Sequence, residues 1–437
     1  MQRNKFIKTL VLRKVMLDMK VFRENPEAIF DDLKRRNIPD VIAKDVIKLD
    51  NEWRNLIEEG NNLRAQRNRI SREIGNLKKK GEDAKSVMKK MSGIKQRLIK
   101  NEKETKEILD SRNRARMRVP NILENEVPIG HDELGNNEIS LHGPKINESG
   151  AKSHQEILEL IEGADLKRAA KISGRRFYFL TGDLARLELA LINYAIDFLH
   201  RKNYSLVIPP FFMNREAYEG VVDLNDFEDV MYKVEDEDFY LIATSEHPLT
   251  SRFKDEILEL KREPLRFAGV STNFRKEVGA HGLSDRGIWR VHQFAKVEQI
   301  VICKPEESRI LHQEILKNAI EIFTGLDIPF RVVDICTGDI GTVAARKYDL
   351  EAWMPASKKW KEIVSASNCK SYQSVRLNMR YRTSEGTDYP HTLNSTAVAT
   401  TRALAAILEN NQQPDGSVVI PEVLQKWMGE QKIIKAR

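Results

Sequence analysis

Cysteine is scarce in this chain of 437 residues. The three cysteines, Cys303, Cys336 and Cys369, lie far apart in the sequence, and no two of them are separated by only two residues. This spacing argues against a disulfide framework and against a zinc site built from cysteines. Because free thiols persist in reducing compartments, we expect a cytoplasmic protein.

Long apolar runs are also missing. No stretch approaches the roughly 20 apolar residues that a membrane-spanning helix requires, so we expect no membrane partner. Hydrophobic residues make up 41% of the chain, which is ample for a large core, and the length favours two to three domains. The net charge of +7 is compatible with a polyanionic partner, although many basic proteins bind no nucleic acid.

The most informative segment runs from position 274 to position 299. Two strand-like stretches, 274–277 and 289–299, flank an eleven-residue excursion that contains Gly279, Gly282 and Gly287. Alternate residues of a strand share a face, so Arg275 and Glu277 would lie together on the first stretch. One face of the second stretch would carry Arg290, His292, Phe294, Lys296 and Glu298. Such a face is costly to bury, and it predicts a platform for a charged, flat ligand such as a nucleoside triphosphate.

A heptad pattern predicts a long helix over 49–77. Its a and d positions, with Gly60 and Arg67 as the weak points, are Trp53, Leu56, Gly60, Leu63, Arg67, Ile70, Ile74 and Leu77. A second helical pattern reaches Ile108 after a polar turn at Gly81, so an antiparallel hairpin of about 49–108 is expected. The first helix would be roughly 40 Å long. Its basic outer face fits a solvated surface, a dimerisation coil or a nucleic-acid contact.

Prolines and glycines between 120 and 150 predict a linker region. After it, the patterns predict an α+β fold, an antiparallel sheet flanked by helices. A helix over 184–200, capped by Asp183, would precede a strand at 205–210. A further helix is predicted over 306–323, and a further strand over 330–335.

Several segments resemble motifs of class II aminoacyl-tRNA synthetases. The residues within these segments are most similar to those of the seryl-tRNA synthetases. Phe-Arg-x-Glu at 274–277, followed by Arg-x-His-Gln-Phe-x-Lys-Val-Glu at 290–298, is similar to motif 2. The segment 184–210 resembles motif 1, and 393–410 resembles motif 3. The family's serine loop is similar to 244–249, and its metal and nucleotide segment to 348–351 with 362–365. The likeness covers nearly the whole chain after Met16.

The resemblance implies an ATP-dependent serine–tRNA ligase. Such an enzyme forms seryl-adenylate and transfers serine to the 3′ end of tRNA(Ser), which leaves open whether tRNA(Sec) is charged as well. A tRNA-binding domain would occupy 1–119, with the hairpin as an arm that reaches the long variable arm of tRNA(Ser). The linker would occupy 120–150 and the class II catalytic domain 151–437. Motif 1 implies a homodimer, ATP implies Mg²⁺, and no zinc is expected.

The same resemblance assigns roles around ATP. Arg275 would bind the α-phosphate and, with Arg402, would be catalytic. Phe294 would stack on the adenine opposite Arg402, and Glu277 would accept a hydrogen bond from the adenine amino group. The implied nucleotide-binding residues are Arg275, Glu277, Arg290, Phe294, Glu362, Ser365 and Arg402. Among them, Glu362 and Ser365 offer the hard oxygen ligands that suit Mg²⁺ bridging phosphates.

The implied serine-binding residues are Thr244, Glu246, Arg275, Glu298, Asn394 and Thr396. Glu298 would hold the ammonium group, and Thr396 would bind the serine hydroxyl. His247 stands at a position that is usually aliphatic in the family, and we interpret it as a packing variation. Motif 3 also departs from the bacterial pattern, with Ala397, Ala399 and Thr401 where glycines are common, but it retains Arg402.

Two other functions fit parts of the chain. An adenylating relative that loads a carrier protein would lack the long arm, so residues 49–108 count against it. A non-catalytic tRNA-binding relative would have no need of the complete set of charged site residues.

The first 15 residues contain no acid and five basic residues: Arg3, Lys5, Lys8, Arg13 and Lys14. An organelle presequence has this composition. We favour a short basic extension or a true start at Met16, because family members begin with a pattern similar to 16–26.

Overall fold

The structure is a computed structural model that describes residues 19–146, 151–222, 230–260, 263–277 and 287–437. The chain divides into two compact units, the first ending at Pro120 and the second running from Asn121 to Arg437. The first 15 residues, which we interpret as a basic extension, lie outside the described residues. Gly279 and Gly282 of the predicted excursion lie outside them as well.

The described part of the first unit is helical. Its helices are α1 (Met19–Glu24), α2 (Pro26–Arg35), α3 (Val41–Lys80) and α4 (Lys85–Met117). The last two confirm the predicted hairpin, and both extend beyond the predicted bounds. Gly81 ends α3 in the left-handed conformation, with φ of 74°, which allows the chain to turn back at once.

The hairpin is held by an apolar seam. Its buried members are Leu63, Ile70, Val87, Ile94 and Leu98. Gly60 is buried in the seam because Asn101 of α4 packs against it, and a Cβ at position 60 would lie 2.6 Å from Asn101 Oδ1. Arg67 was predicted as a seam position but is exposed. The buried seam positions of α3 therefore skip from Leu63 to Ile70.

The second unit combines strands and helices. Its helices are α5 (His154–Leu160), α6 (Leu166–Ser173), α7 (Gly182–Arg201), α8 (Arg215–Glu219), α9 (Glu246–Ser251), α10 (Ser308–Gly325), α11 (Tyr372–Arg376), α12 (Thr400–Asn410) and α13 (Glu422–Gln425). Its longer strands are β1 (Asn137–His142), β8 (Leu265–Phe274), β9 (Gln293–Cys303), β10 (Phe330–Asp334), β11 (Arg346–Met354), β12 (Lys359–Lys370) and β15 (His391–Ala399).

Short strands complete the set. They are β2 (Ala164–Asp165), β3 (Phe179–Leu180), β4 (Ser205–Val207), β5 (Phe212–Met213), β6 (Tyr240–Leu241), β7 (Ile257–Leu258), β13 (Arg380–Thr383), β14 (Gly386–Asp388), β16 (Val418–Val419) and β17 (Ile433–Ile434).

The main sheet of the described chain has the strand order β1-β10-β11-β12-β15-β9-β8-β4. Neighbouring strands are antiparallel except β4, which pairs with β8 in parallel. The largest core cluster joins this sheet to α7, α10 and α12, with Val297 of β9 and Phe323 of α10 fully buried in it. Helices on an antiparallel sheet confirm the predicted α+β fold.

Two local predictions were wrong. Residues 137–142, placed in a linker, form the edge strand β1 of the main sheet and pair with β10. Helix α7 begins at Gly182 after Thr181, so Asp183 lies in the first turn and is not the N-cap. An acidic residue in the first turn also interacts favourably with the helix dipole. Acidic residues are therefore common at both positions, and the sequence alone did not separate them.

No helix in the described part of the chain combines the length and the apolar character needed to cross a bilayer.

Candidate active site

A cavity of about 470 Å³ opens on one face of the main sheet. This volume lies within the range of small-molecule sites. The predicted site residues that line it are Thr244, Glu246, Arg275, Glu277, Phe294, Glu298, Glu362, Ser365, Asn394, Thr396 and Arg402. Arg290 lies outside this lining, but its Nη1 is 3.8 Å from Glu277 Oε2.

The ends of β8 and β9 position the residues of the motif 2-like segment. Strand β9 begins at Gln293, so Arg290 and His292 precede it, while Arg275 and Glu277 follow the end of β8 at Phe274. The predicted strand face is therefore wrong for these four residues and correct for Phe294, Lys296 and Glu298. The two chain segments stay joined beyond the strands, since Arg275 N–H donates to His292 O at 2.9 Å.

One end of the cavity is acidic. Glu298 lies opposite Thr396 of β15 in the strand register, and Thr396 Oγ1 is 3.4 Å from Glu298 Oε2. The Lys296 ammonium forms an ion pair with the Glu298 carboxylate. Both side chains are almost completely buried, and burial lowers the pKa of Lys296. The Glu298 carboxylate is thus paired with an ammonium group of the protein itself.

Glu246 brings a second carboxylate to this end. It begins α9, which can approach β8 because Gly269 has no side chain, and a Cβ there would lie 2.6 Å from Ser245 Oγ. Gln373 Nε2 donates to Glu246 Oε1 at 2.7 Å. Burial and the charge of Glu298 raise the pKa of Glu246 to about 7, although Gln373 opposes the rise.

His247 and Cys369 complete the wall around Glu246. His247 Nδ1 lies 3.0 Å from the hydroxyl of Tyr218, and burial lowers the pKa of His247 to about 3, so the ring is neutral. Asn394 Nδ2 lies 3.6 Å from Cys369 Sγ. Burial raises the pKa of Cys369, which keeps the thiol protonated.

The other end of the cavity is cationic and aromatic. The Arg275 guanidinium lies over the ring of Phe294 at 5.3 Å, and its Nε donates to Ala243 O at 3.3 Å. Arg402 lies near the start of α12, with its guanidinium 5.9 Å from the ring of Trp289. Arg275 rather than Arg402 therefore covers Phe294.

A bulge brings Glu362 and Ser365 to the same wall. Residues three apart on a regular strand point to opposite faces, but the register of β12 against β11 shifts between Leu350 and Glu351. Arg402 Nη1 is 3.1 Å from Glu362 Oε1. Desolvation opposes the charge on Glu362, but Arg402, Lys347 and Arg275 outweigh it and keep its pKa below the ordinary value.

Asp349 lies across from Ser365 in the strand register. Burial raises the pKa of Asp349, although Lys347 opposes the rise, and its Oδ1 is buried without a hydrogen-bond partner. Hard oxygen atoms with one uncommitted acceptor fit a Mg²⁺ ion held together with nucleotide phosphates.

Several residues in or behind the cavity wall received no specific role from the sequence. Lys296 was predicted on the platform face, and its pairing could have been identified because it lies two residues before Glu298 on that face. Trp289 precedes the strand and had no distinguishing pattern. No local sequence pattern indicated Gln373 either. It lies at the start of the short helix α11, and its hydrogen-bond partner Glu246 is 127 positions away in the sequence.

Comparison with known families gives two matches. Residues 232–411 match the family model described as tRNA synthetase class II core domain (G, H, P, S and T). Residues 16–123 match the model described as Seryl-tRNA synthetase N-terminal domain.

Similar proteins match over nearly their whole length. The serine–tRNA ligase of Methanospirillum hungatei is 50% identical over 425 residues, covering 96% of this chain and all of that protein. The crystal structure of seryl-tRNA synthetase from Pyrococcus horikoshii complexed with ATP is 47% identical, with a TM-score of 0.91 and coverage of 97% and 100%. The cytoplasmic serine–tRNA ligase of Naegleria fowleri in complex with AMP is 36% identical, with a TM-score of 0.86 and the same coverage.

Proposed function

Since the chain belongs to the seryl-tRNA synthetases and is a class II serine–tRNA ligase, we infer that its cavity binds ATP and serine side by side and aligns them for adenylation. The observation that carries this inference is the division of one cavity into an acidic end at Glu298 and a cationic end at Arg275. Zwitterionic serine and a triphosphate would fit the two ends.

The reaction needs alignment and charge stabilisation. A serine carboxylate oxygen attacks the α-phosphorus of ATP, the bond from that phosphorus to the bridging oxygen breaks, and pyrophosphate leaves. A terminal ribose hydroxyl of tRNA(Ser) then attacks the carbonyl carbon, and AMP leaves. No covalent bond to the protein is required, so positioning and electrostatic stabilisation carry the catalysis.

Arg275 is the residue that we assign to the α-phosphate and the serine carboxylate. Its planar guanidinium can donate to both groups at once, and it already lies against Phe294, the proposed adenine platform. Arg402 would move from Glu362 to the γ-phosphate and the adenine. Glu277 would accept from the adenine amino group, with Arg290 paired behind it.

At the acidic end, Glu298 would exchange the Lys296 ammonium for that of serine. Thr396 and Asn394 would bind the serine hydroxyl, and Thr244 and Glu246 would close the wall around it. A pocket with these polar groups rejects alanine, because alanine would leave them without partners.

Glu362 and Ser365 would hold the Mg²⁺ that accompanies ATP, with Asp349 behind them. The ion would supply positive charge to the phosphates. This assignment rests on the shared wall that the bulge in β12 creates.

The hairpin α3–α4 would bind tRNA(Ser), because basic side chains on its exposed faces suit a phosphate backbone. For the assembly we propose a homodimer. The segment that resembles motif 1 exposes large apolar side chains, namely Leu189 of α7, Leu206 of the edge strand β4 and Ile208. Free buried cysteines fit a reducing compartment, so we propose a cytoplasmic enzyme.

The assignment of Arg275 can be tested by rapid-mixing measurement of adenylate formation. Arg275→Ala should lower the single-turnover rate by about 100-fold or more, because the contact strengthens as charge develops on the α-phosphate. The matched control is Arg309→Ala, since Arg309 forms an exposed ion pair with Glu126 away from the cavity. Equal rates for the two variants would refute the role of Arg275.

A further inference from the structure

Gln373 lies behind the acidic end of the cavity and is fully buried. Its side-chain amide makes three hydrogen bonds. Nε2 donates to Glu246 Oε1 at 2.7 Å and to Val221 O at 3.3 Å. Oε1 accepts from the hydroxyl of Thr392 at 2.6 Å. The amide therefore has a partner on each side and no contact with solvent.

The carbonyl of Val221 fixes the orientation of this amide. A backbone carbonyl can only accept a hydrogen bond, so the Gln373 nitrogen must face Val221 and, with it, Glu246. Rotating the amide by half a turn would bring two oxygen atoms together at Val221. The Thr392 hydroxyl then satisfies the opposite end. Glu246 thus faces a donor whose direction cannot change without breaking other buried bonds.

We propose that Gln373 is a positioning residue of the serine site, which holds the Glu246 carboxylate towards the bound serine, while Thr392 holds Gln373 in place. The inference rests on the proposed role of Glu246 in serine binding. Gln373 itself acts only through Glu246.

The groups around Glu246 explain why a fixed donor matters. Glu298 is the nearby negative charge, and Lys296 and Arg275 are the nearby positive charges. The His247 ring and the Cys369 thiol are neutral neighbours. Burial and Glu298 favour the protonated form of Glu246, whereas Gln373, Lys296 and Arg275 favour the anion. Removing the donor shifts this balance towards a protonated, uncharged Glu246 at neutral pH.

The variant Gln373→Met keeps the length of the side chain and removes the amide. Serine-dependent ATP–pyrophosphate exchange should show kcat/KM for serine about tenfold or more below wild type at pH 6.5, the loss expected for a hydrogen bond to a charged group. The loss in kcat/KM should be only roughly threefold at pH 8.5, because Glu246 is ionised at that pH even when the Gln373 amide is missing. Comparing variant and wild type at each pH cancels the titration of serine itself. The KM for ATP should stay within about twofold of wild type.

Gln299→Met is the matched control, because Gln299 is equally buried and its amide makes two hydrogen bonds, but it faces α10 on the other side of the sheet. It reports what the loss of a buried glutamine amide does to the fold alone. We expect it to lower the unfolding temperature without a pH-dependent change in kcat/KM for serine. If Gln373→Met does not fold, Thr392→Val provides the same test, with a smaller effect in the same direction.

A deficit for Gln373→Met that is the same at every pH, or no deficit relative to Gln299→Met, would overturn the positioning role. Glu246→Ala separates this failure from failure of the proposed serine site. If Glu246→Ala weakens serine binding and Gln373→Met does not, only the role of Gln373 is wrong. If Glu246→Ala leaves the KM for serine unchanged, the placement of serine is wrong as well.

Discussion

At the scale of single residues, the cavity contains a buried cation, Lys296, to which we assign no contact with serine or ATP. Lys296 neutralises Glu298, so this buried carboxylate is not left unpaired. The substrate ammonium would have to displace Lys296 from Glu298. Serine binding at Glu298 would then exchange one buried ion pair for another, with the Glu298 carboxylate already desolvated.

Glu298→Gln should weaken serine binding by roughly 2–4 kcal/mol, the cost of leaving a buried charge unpaired. The amide keeps the shape of the side chain but cannot balance an ammonium group. The KM for ATP should barely change, because we place the nucleotide at the cationic end. Steady-state exchange kinetics measure both constants. A KM for serine within about threefold of wild type, under 1 kcal/mol, would show that serine lies elsewhere.

The pKa of Glu246 predicts a pH profile. A carboxyl group whose pKa is raised to about 7 is protonated below that pH and charged above it. If the charge of Glu246 assists serine binding, kcat/KM for serine should rise between pH 6 and pH 8 with a midpoint near 7. Glu246→Gln should abolish this rise, since an amide does not titrate. A profile that is unchanged in Glu246→Gln would assign the titration to another group.

Part of the cavity could be predicted from the sequence, because some motif residues lie on a strand whose alternation is regular. Phe294 and Glu298 are examples, four residues apart on β9. Glu362 and Ser365 meet only through a bulge, which depends on the pairing of β12 with β11. Gln373 reaches Glu246 through tertiary packing alone, and no local pattern records such a contact.

At the scale of elements, the hairpin α3–α4 is stabilised within its own unit. Its seam consists of side chains from both helices, and Asn101 Nδ2 donates across it to Leu56 O at 3.0 Å. Heptad spacing identified this element, since the seam repeats locally. The exposure of Arg67 could not be predicted, because packing at Gly60 and Ile70 decides which residues face the partner helix.

Replacing residues 45–115 with a short Gly/Ser linker should separate the two activities. Serine-dependent pyrophosphate exchange should remain nearly unchanged, because the cavity residues all belong to the second unit. Aminoacylation of tRNA(Ser) should fall steeply as the basic surface is lost. Loss of exchange in a variant that still folds, as judged by circular dichroism, would contradict this division.

At the scale of the whole molecule, the exposed apolar residues of the motif 1-like segment predict assembly. Light scattering at micromolar concentration should give about twice the chain mass of 50.4 kDa. Leu206→Lys together with Ile208→Lys should shift the mass towards the monomer, because charge cannot be buried there without a partner. An active enzyme with the mass of a single chain would rule out the dimer.

An ATP–pyrophosphate exchange panel over all standard amino acids tests most directly whether this one cavity adenylates serine. We expect exchange with serine, little with threonine or alanine, and a loss of the serine signal in Arg275→Ala. Exchange that depends on another amino acid as strongly as on serine, or a serine signal that survives Arg275→Ala undiminished, would contradict the account.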